Sequence, residues 1–257
     1  MSDSAVTFLL LPGFFVAILV CIETGSRLGS RYAANETERA RAVFNTIETA
    51  IFALLGLMIA FTFAGAASRF DARRTLTVDE ANAIGTAYLR LDLLPTAAQP
   101  ALRDKFRLYT TTRIGVYKVL PDIEASDAHA ARAVALQGEI WKDAVAALKE
   151  TPGASILVLP ALNAMIDITT TRAIILRTHI PPIVLATLII LTLVCSFLIG
   201  SELPRERSFS MRLHTLVFAL VVTLTMYVIF DLDHPRVGLI RLDYTDKALL
   251  EVLAGMK

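Results

Sequence analysis

The sequence has few of the residues that build common chemical sites. It contains only two cysteines, Cys21 and Cys195, and both fall inside apolar stretches, where a thiol behaves as a small hydrophobic side chain. This placement excludes a disulfide framework and a thiolate metal site. The four histidines show no HExxH or paired-ligand spacing. Because His129, His179 and His214 lie near predicted helix starts or membrane edges, we interpret them as ordinary interfacial residues and predict no metal site.

A large excess of charge of one sign is also lacking. Lys and Arg together number 25 and Asp and Glu 24, so the formal net charge is only +1. Such a balance produces no broad field for a polyanion, which argues against a nucleic-acid partner. The chain also lacks a nucleophile elbow, a phosphate-binding loop and any metal-ligand spacing. The acidic residues between the long apolar runs are scattered, so we predict no catalytic residue and no enzyme. They are Asp79, Glu80, Asp92, Asp122, Glu139 and Asp167.

Long apolar runs, in contrast, are abundant. Hydrophobic residues make up 55% of the chain and the mean hydropathy is +0.58, although 19% of residues are charged. Four stretches are nearly free of charge over roughly the 17 to 25 residues that cross a hydrocarbon core. The first follows no positive charge and ends without a small-x-small cleavage site, so we interpret it as a true span rather than a signal peptide. The four predicted membrane spans cover about residues 5–22, 47–68, 180–201 and 213–230.

The stretch between the second and third spans, about residues 69–179, has the pattern of a helical bundle. Ala81, Ile84, Tyr88 and Leu91 recur at three- and four-residue intervals and form an apolar stripe that must pack against something. The second span runs without a proline into this stripe, which favours one long helix. No segment alternates as a strand, so the predicted fold class is an all-α membrane protein in a single domain over residues 1–257. Three further helices are predicted at 100–120, 126–149 and 160–178.

The composition of the spans limits what they can transport. None carries an ionisable residue in its middle, which argues against a coupled pump or a secondary transporter. Spans without charge are compatible with a passive pore, because a hydrophobic constriction gates by dewetting and needs no charged residue. A chain with only four spans must oligomerise to surround such a pore. In the second span, apolar side chains that recur every four residues are the candidates for lining it: Ile51, Leu55, Ile59 and Phe63.

That apolar stripe has a second interpretation, since a lipid-facing or core-packed helix shows the same pattern. A neighbouring stripe of small residues, Gly56, Ala60 and Ala64, favours close helix packing, either within one chain or between subunits. The arginines that flank the spans are divided almost evenly between the two sides. The positive-inside rule therefore does not decide which side faces the cytoplasm.

Several strings of the sequence resemble the bacterial bestrophin-like membrane family. They are LLGLMIAFTF from residue 54, AASRFDARR from residue 66, VDEANAIGTAYLR from residue 78 and FDLDHPRVGLI from residue 230. Bestrophins are pentameric anion channels with four spans, a large cytosolic helical region between the second and third spans, and a neck lined by hydrophobic residues of the second span. The resemblance therefore implies a bestrophin-like homo-oligomer, with a pentamer favoured, inorganic anions as conducted species and membrane lipid as a partner. It also implies a bacterial inner-membrane location, with both termini and residues 69–179 in the cytoplasm.

Bestrophins also bind calcium through an acidic cluster after the last span. The resembling segment here offers only Asp231 and Asp233, too few for a site that takes six to eight oxygens. We therefore predict neither calcium nor another cofactor.

The polar residues of these strings have predicted structural roles. Asp79, Glu80 and Asn82 lie within one helical turn, so we predict that they pair with Arg73 or Arg74, within one helix or between subunits. The carboxylates of Asp231 and Asp233 are predicted to cap the N-terminus of a neighbouring helix or to pair with Arg69, Arg73 or Arg74 at the same membrane face. The complete set is Arg69, Asp71, Arg73, Arg74, Asp79, Glu80, Asn82, Asp231, Asp233 and Arg236.

The function that these patterns and the resemblance favour is an oligomeric ion channel or pore that conducts anions. The alternative is a membrane scaffold or sensor that conducts nothing and whose helical bundle docks a partner.

Overall fold

Helices build nearly the whole described structure. The computed structural model describes residues 3–32, 37–120, 122–203, 208–234, 239–240 and 243–256, and these ranges contain no strand. Short 3-10 turns at Arg90–Leu93 and Pro152–Ala154 precede the third and fifth helices. The all-α prediction is confirmed. The helices are α1 (Asp3–Tyr32), α2 (Glu38–Leu89), α3 (Gln99–Lys118), α4 (Ile123–Leu148), α5 (Ser155–Arg177), α6 (Pro182–Glu202), α7 (Phe209–Asp233) and α8 (Asp243–Gly255).

The chain divides into two compact units. Unit 1 comprises Met1–Arg69 and His179–Leu239, and unit 2 comprises Phe70–Thr178 and Ile240–Lys257. The prediction of a single domain stays a prediction.

The prediction of four membrane-spanning helices is confirmed. Four helical stretches are long and apolar enough to cross a membrane; the first is shifted along the chain from the predicted 5–22, and the second and third extend well beyond the predicted boundaries. The second does so because α2 continues without a break from Glu38 to Leu89. The stretches are Leu11–Ser30, Arg41–Leu93, Pro152–Glu202 and Phe209–Asp233.

Within unit 1, α1 and α6 pack so closely that glycine is required at their contact. A Cβ atom added at Gly25 would lie 2.1 Å from the backbone oxygen of Phe197, and one at Gly200 would lie 2.1 Å from that of Ile22. Gly29, one turn after Gly25, is almost as close to the α6 backbone, at 2.2 Å. Backbone contact of this kind is how small-xxx-small helices associate in membranes. No packing role was predicted for these glycines.

Unit 2 has its own hydrophobic core. The predicted stripe on α2 lies inside it, and none of the four side chains is more than 5% exposed. The helices predicted at 100–120 and 126–149 correspond to α3 and α4. Their predicted core faces are buried: Leu102, Phe106, Tyr109 and Tyr117 on α3, and Leu136, Ile140, Ala144 and Leu148 on α4.

Two features of unit 2 differ from the prediction. Pro160 lies inside α5, which starts at Ser155, rather than in the first turn of a helix. The helix α8 was not predicted, although its Leu249 is only 1% exposed and belongs to the unit 2 core. A helix of 13 residues is only marginally stable alone in water, so α8 depends on this packing.

Candidate functional site

The predicted pore stripe lies on the unit 1 part of α2, and its four members differ in exposure. Leu55 is 5% exposed and Phe63 is 42% exposed, while Ile51 and Ile59 are half-buried. A side chain that its own chain covers does not reach a lumen. Phe63 therefore meets the requirement for pore lining best and Leu55 least, and the lining role itself stays a prediction.

The small-residue stripe on the same helix is exposed. Gly56, Ala60 and Ala64 are all accessible, and apart from the local α2 backbone and the adjacent residues no described atom lies within 4 Å of a Cβ added at Gly56. With about 3.6 residues per turn, these positions lie about 100° to 180° around the helix from the covered Leu55. The described part of the chain therefore leaves this face open, and its packing between subunits stays a prediction.

A polar cluster lies where α7 ends in unit 1, and we call it the Asp233 cluster, comprising Arg69, His179, Asp233 and His234. The Arg69 Nε atom donates to Asp233 Oδ1 at 2.9 Å, and the backbone N–H of Ile180 donates to Oδ2 at 3.0 Å. Only 3% of the Asp233 side chain is exposed. Because Ile180 leads directly into α6, one carboxylate joins the α6 start, the α7 end and α2. The predicted pairing of Asp233 with Arg69 is thus present.

The two histidines of this cluster stack on each other. Their ring centroids are 4.6 Å apart with an interplanar angle of 7°. The Nδ1 atom lies 3.3 Å from Asp233 Oδ2 in His179 and 3.9 Å from it in His234. Sequence spacing did not suggest this grouping, because His179 and Asp233 are 54 positions apart.

The other carboxylate of this segment has a local role. Asp231 is buried, and its Oδ2 atom accepts a hydrogen bond from the backbone N–H of Leu239 at 3.1 Å. This bond joins Leu239 to the C-terminal end of α7. The remaining predicted residue of the string, Arg236, lies outside the described residues.

A second cluster lies in unit 2, and we call it the Glu80 cluster, comprising Glu80, Arg113, Tyr117 and Arg172. Arg113 Nε donates to Glu80 Oε1, Arg172 Nη1 donates to Oε2, and the Tyr117 hydroxyl donates to Oε2 at 3.0 Å. Glu80 is completely buried, and the arginine side chains are 7% and 2% exposed. The predicted pairing of Glu80 with Arg73 or Arg74 is therefore wrong, because its partners come from α3 and α5.

The Glu80 cluster brings three charged side chains together in the interior of unit 2. The guanidinium groups of Arg113 and Arg172 share the carboxylate of Glu80. The Arg172 Cζ atom lies 3.6 Å from the centroid of the Tyr117 ring, and this cation–π contact offsets part of its desolvation. Burial raises the pKa of the Tyr117 hydroxyl, so it stays protonated and can donate to Glu80.

Arg73 lies two helical turns before Glu80 on α2 but contacts a different part of unit 2. Its Nη2 atom donates to the backbone oxygen of Thr178 at 2.7 Å, and its Nε donates to that of Ile175 at 3.4 Å. Both oxygens belong to the C-terminal end of α5, where helix carbonyls lack intrahelical partners and a cation is favoured. Arg73 thus fastens α5 to α2 within unit 2.

A family comparison accounts for this architecture. The Bestrophin-like domain model matches residues 13–245, which is most of the chain. The chain belongs to the bestrophin-like family.

The fold agrees with this bestrophin-like assignment. The chain is similar to the crystal structure of a bacterial bestrophin homologue from Klebsiella pneumoniae, solved as an isoleucine-to-threonine variant. The TM-score is 0.65 at 13% sequence identity, and the match covers 96% of this chain and 97% of the other. At that identity the likeness shows the fold alone. No curated protein matches the sequence.

In this bestrophin-like chain, the polar residues of the resembling strings do not all form one site. Arg69 and Asp233 belong to the Asp233 cluster, and Glu80 belongs to the Glu80 cluster. Four other members are exposed on α2 and line neither cluster: Asp71, Arg74, Asp79 and Asn82.

Sequence reasoning missed two residues of the Glu80 cluster, Arg113 and Arg172. Each ends an identical Thr-Thr-Thr-Arg string, at 110–113 in α3 and at 169–172 in α5. An arginine that recurs in the same string on two predicted helices was the available signal. It identifies neither the shared partner nor the distance between the helices.

The Asp233 cluster supports a prediction about stability. Replacing Asp233 with alanine removes the ion pair with Arg69 and leaves the Ile180 N–H without its acceptor. We expect a loss of about 1–3 kcal/mol of unfolding free energy, because the arginine is still one-quarter exposed and partly solvated. Thermal unfolding of the detergent-solubilised protein measures the effect. Asp71→Ala, an exposed carboxylate on α2, is the control; equal stability of both variants with the wild type would exclude a structural role for Asp233.

Proposed function

We propose that this bestrophin-like protein is an oligomeric ion channel that conducts anions, with copies of α2 arranged around one axis. The observation that carries the proposal is the open face of α2 in unit 1. Gly56, Ala60 and Ala64 are exposed there. Small side chains let helix backbones approach closely, which stabilises a contact between helices more than a contact with lipid. One copy of α2 does not enclose a lumen, so the proposal requires several subunits.

Membership of the bestrophin-like family supports the finer parts of the proposal. Bestrophins are pentameric, so five subunits are proposed here, with the protein in a bacterial inner membrane and both termini in the cytoplasm. Anion preference has a physical basis in Arg74, which is exposed and follows the apolar part of α2. Repeated around a ring of subunits, this side chain would concentrate anions near the pore.

Ion flux tests the role of Phe63. We expect Phe63→Ala to raise chloride flux into liposomes several-fold, because it widens a hydrophobic constriction and makes wetting easier. Ile59→Ala should raise flux less, since its side chain is half-buried. The measurement is uptake reported by a trapped chloride-sensitive dye, normalised to the reconstituted protein.

Two variants are controls for this flux experiment. Phe61 is 68% exposed but lies about 160° around α2 from Phe63, so Phe61→Ala should leave flux unchanged. Leu55 is covered by its own chain, so Leu55→Ala should lower thermal stability rather than raise flux. Zero flux in the wild type and in both the Ile59 and Phe63 variants would instead support the scaffold or sensor.

The number of subunits should be measured first. Native mass spectrometry of the protein released from nanodiscs gives the mass of the complex directly. A defined ring, five subunits above all, supports the pore. A monomer or dimer leaves no lumen between copies of α2 and would favour the scaffold or sensor.

A further inference from the structure

Three potential metal ligands converge in the Asp233 cluster. His179, Asp233 and His234 each present one ligand atom, and these atoms all lie within 4.8 Å of one another. We propose that the three residues form a binding site for a divalent transition-metal cation of the zinc type. The assignment does not depend on ion conduction by the protein.

The spacing of the ligand atoms fits a small cation. Ligands at about 2.0–2.2 Å from a tetrahedral zinc ion lie about 3.3 Å from one another. Here the Nδ1 atom of His179 is 3.3 Å from Asp233 Oδ2, and that of His234 is 3.9 Å from the same oxygen. The three ligand atoms spread over up to 4.8 Å, and the two rings are stacked with an interplanar angle of 7°. Closing the site therefore takes a rotation of the two partly exposed rings out of the stack, so that both nitrogens point at one cation, while the buried carboxylate stays in place.

The kind of ligand decides which cation is bound. Two imidazoles and one carboxylate suit zinc, cobalt, nickel or copper, whereas calcium takes six to eight oxygens. Three protein ligands leave a fourth tetrahedral position for water. The Nδ1 atoms lie 3.2 Å from the backbone oxygens of Asp233 and Phe230, contacts that a protonated Nδ1 makes, and a bound cation replaces those protons.

The surroundings hold one ligand in position and leave the others accessible. Arg69 and the Ile180 N–H fix the Asp233 carboxylate, in the way that outer hydrogen bonds orient ligands in metal sites. The side chains of His179 and His234 are 42% and 34% exposed, so a cation can enter from their side. The positive charge of Arg69 repels the bound metal cation. The affinity of this site for metal is therefore lower than that of the same three ligands without a nearby arginine.

Metal titration of the full-length protein in detergent, after removal of any affinity tag, tests the proposal. Cobalt(II) is the first probe, because a low-coordinate cobalt site with nitrogen ligands gives visible absorption bands. We expect these bands in the wild type at one cobalt per chain, with their loss when zinc is added. Zinc should also raise the thermal unfolding temperature, while calcium should not.

Matched variants separate this site from adventitious binding. His179→Ala and His234→Ala should each weaken cobalt binding at least about tenfold. His214→Ala should have no effect, because it changes a histidine of α7 that lies near the opposite end of that helix. The variants His179→Gln and His234→Asn keep polar side chains of similar size and replace any alanine variant that fails to fold. Absence of cobalt bands in the wild type, or equal binding by the His179 and His234 variants, would overturn the proposal.

Discussion

Replacing Gly25 or Gly200 with alanine is expected to lower the unfolding free energy of the protein by about 3 kcal/mol or more. Each new methyl group would lie 2.1 Å from a backbone oxygen of the partner helix. No rotamer change relieves a clash with backbone, so α1 and α6 must separate. Separation removes contacts along the whole pair of helices, which explains why one methyl group has so large an effect.

We expect each variant either to aggregate on solubilisation or, on heating, to aggregate at a much lower temperature than the wild type. Size-exclusion chromatography after heating steps measures the loss of monodisperse protein. Gly13→Ala is the control on the same helix, because no described atom outside the local α1 backbone and the adjacent residues lies within 4 Å of a Cβ at that position. If Gly25→Ala matched Gly13→Ala, the close packing of α1 and α6 would be contradicted.

Replacing Glu80 with glutamine is expected to destabilise unit 2 by about 3–5 kcal/mol, the usual cost of removing one partner from a buried ion pair. The amide removes the negative charge that the buried Arg113 and Arg172 side chains share. The neighbouring exposed residue offers a matched control, since Asp79→Asn makes the same chemical change at the surface and should be nearly neutral.

The chain carries a local reporter for this experiment. Trp141, on α4, is the only tryptophan in the sequence and packs against the unit 2 core. Its fluorescence during thermal unfolding therefore reports on unit 2. Equal unfolding temperatures for Glu80→Gln and Asp79→Asn would show that the cluster contributes no net stability. Replacing the charged residues of the cluster by apolar residues, Glu80→Leu with Arg113→Met and Arg172→Met, should recover part of the loss, because none of the three charges of the cluster is then left buried without its partner.

Local patterns were sufficient to predict most of the helices. Hydropathy over about 20 residues identified the four spans, and three- and four-residue spacing identified the buried stripe from Ala81 to Leu91. Both signals depend only on neighbours along the chain. The helix α8 was not predicted, because it is short and its stability depends on tertiary packing.

Contacts between distant segments were not predictable in this way. Glu80 was expected to pair with Arg73 or Arg74, the cations nearest to it along α2. Its partners are instead Arg113 and Arg172, which are 33 and 92 positions away. The pairing with Asp233 was anticipated only as a choice among three arginines that follow the same span, and the structure selects Arg69.

The amino-acid sequence by itself determined the four membrane spans, the all-helical class and the family, because each depends on hydropathy, periodicity or short strings read along the chain. Only the tertiary structure decided which face of α2 is covered, why Gly25 and Gly200 must be glycine, and that His179, Asp233 and His234 meet. The physical reason is the same in each case. Such contacts join atoms from separate helices, and their distances follow from packing and helix orientation, which no local pattern records.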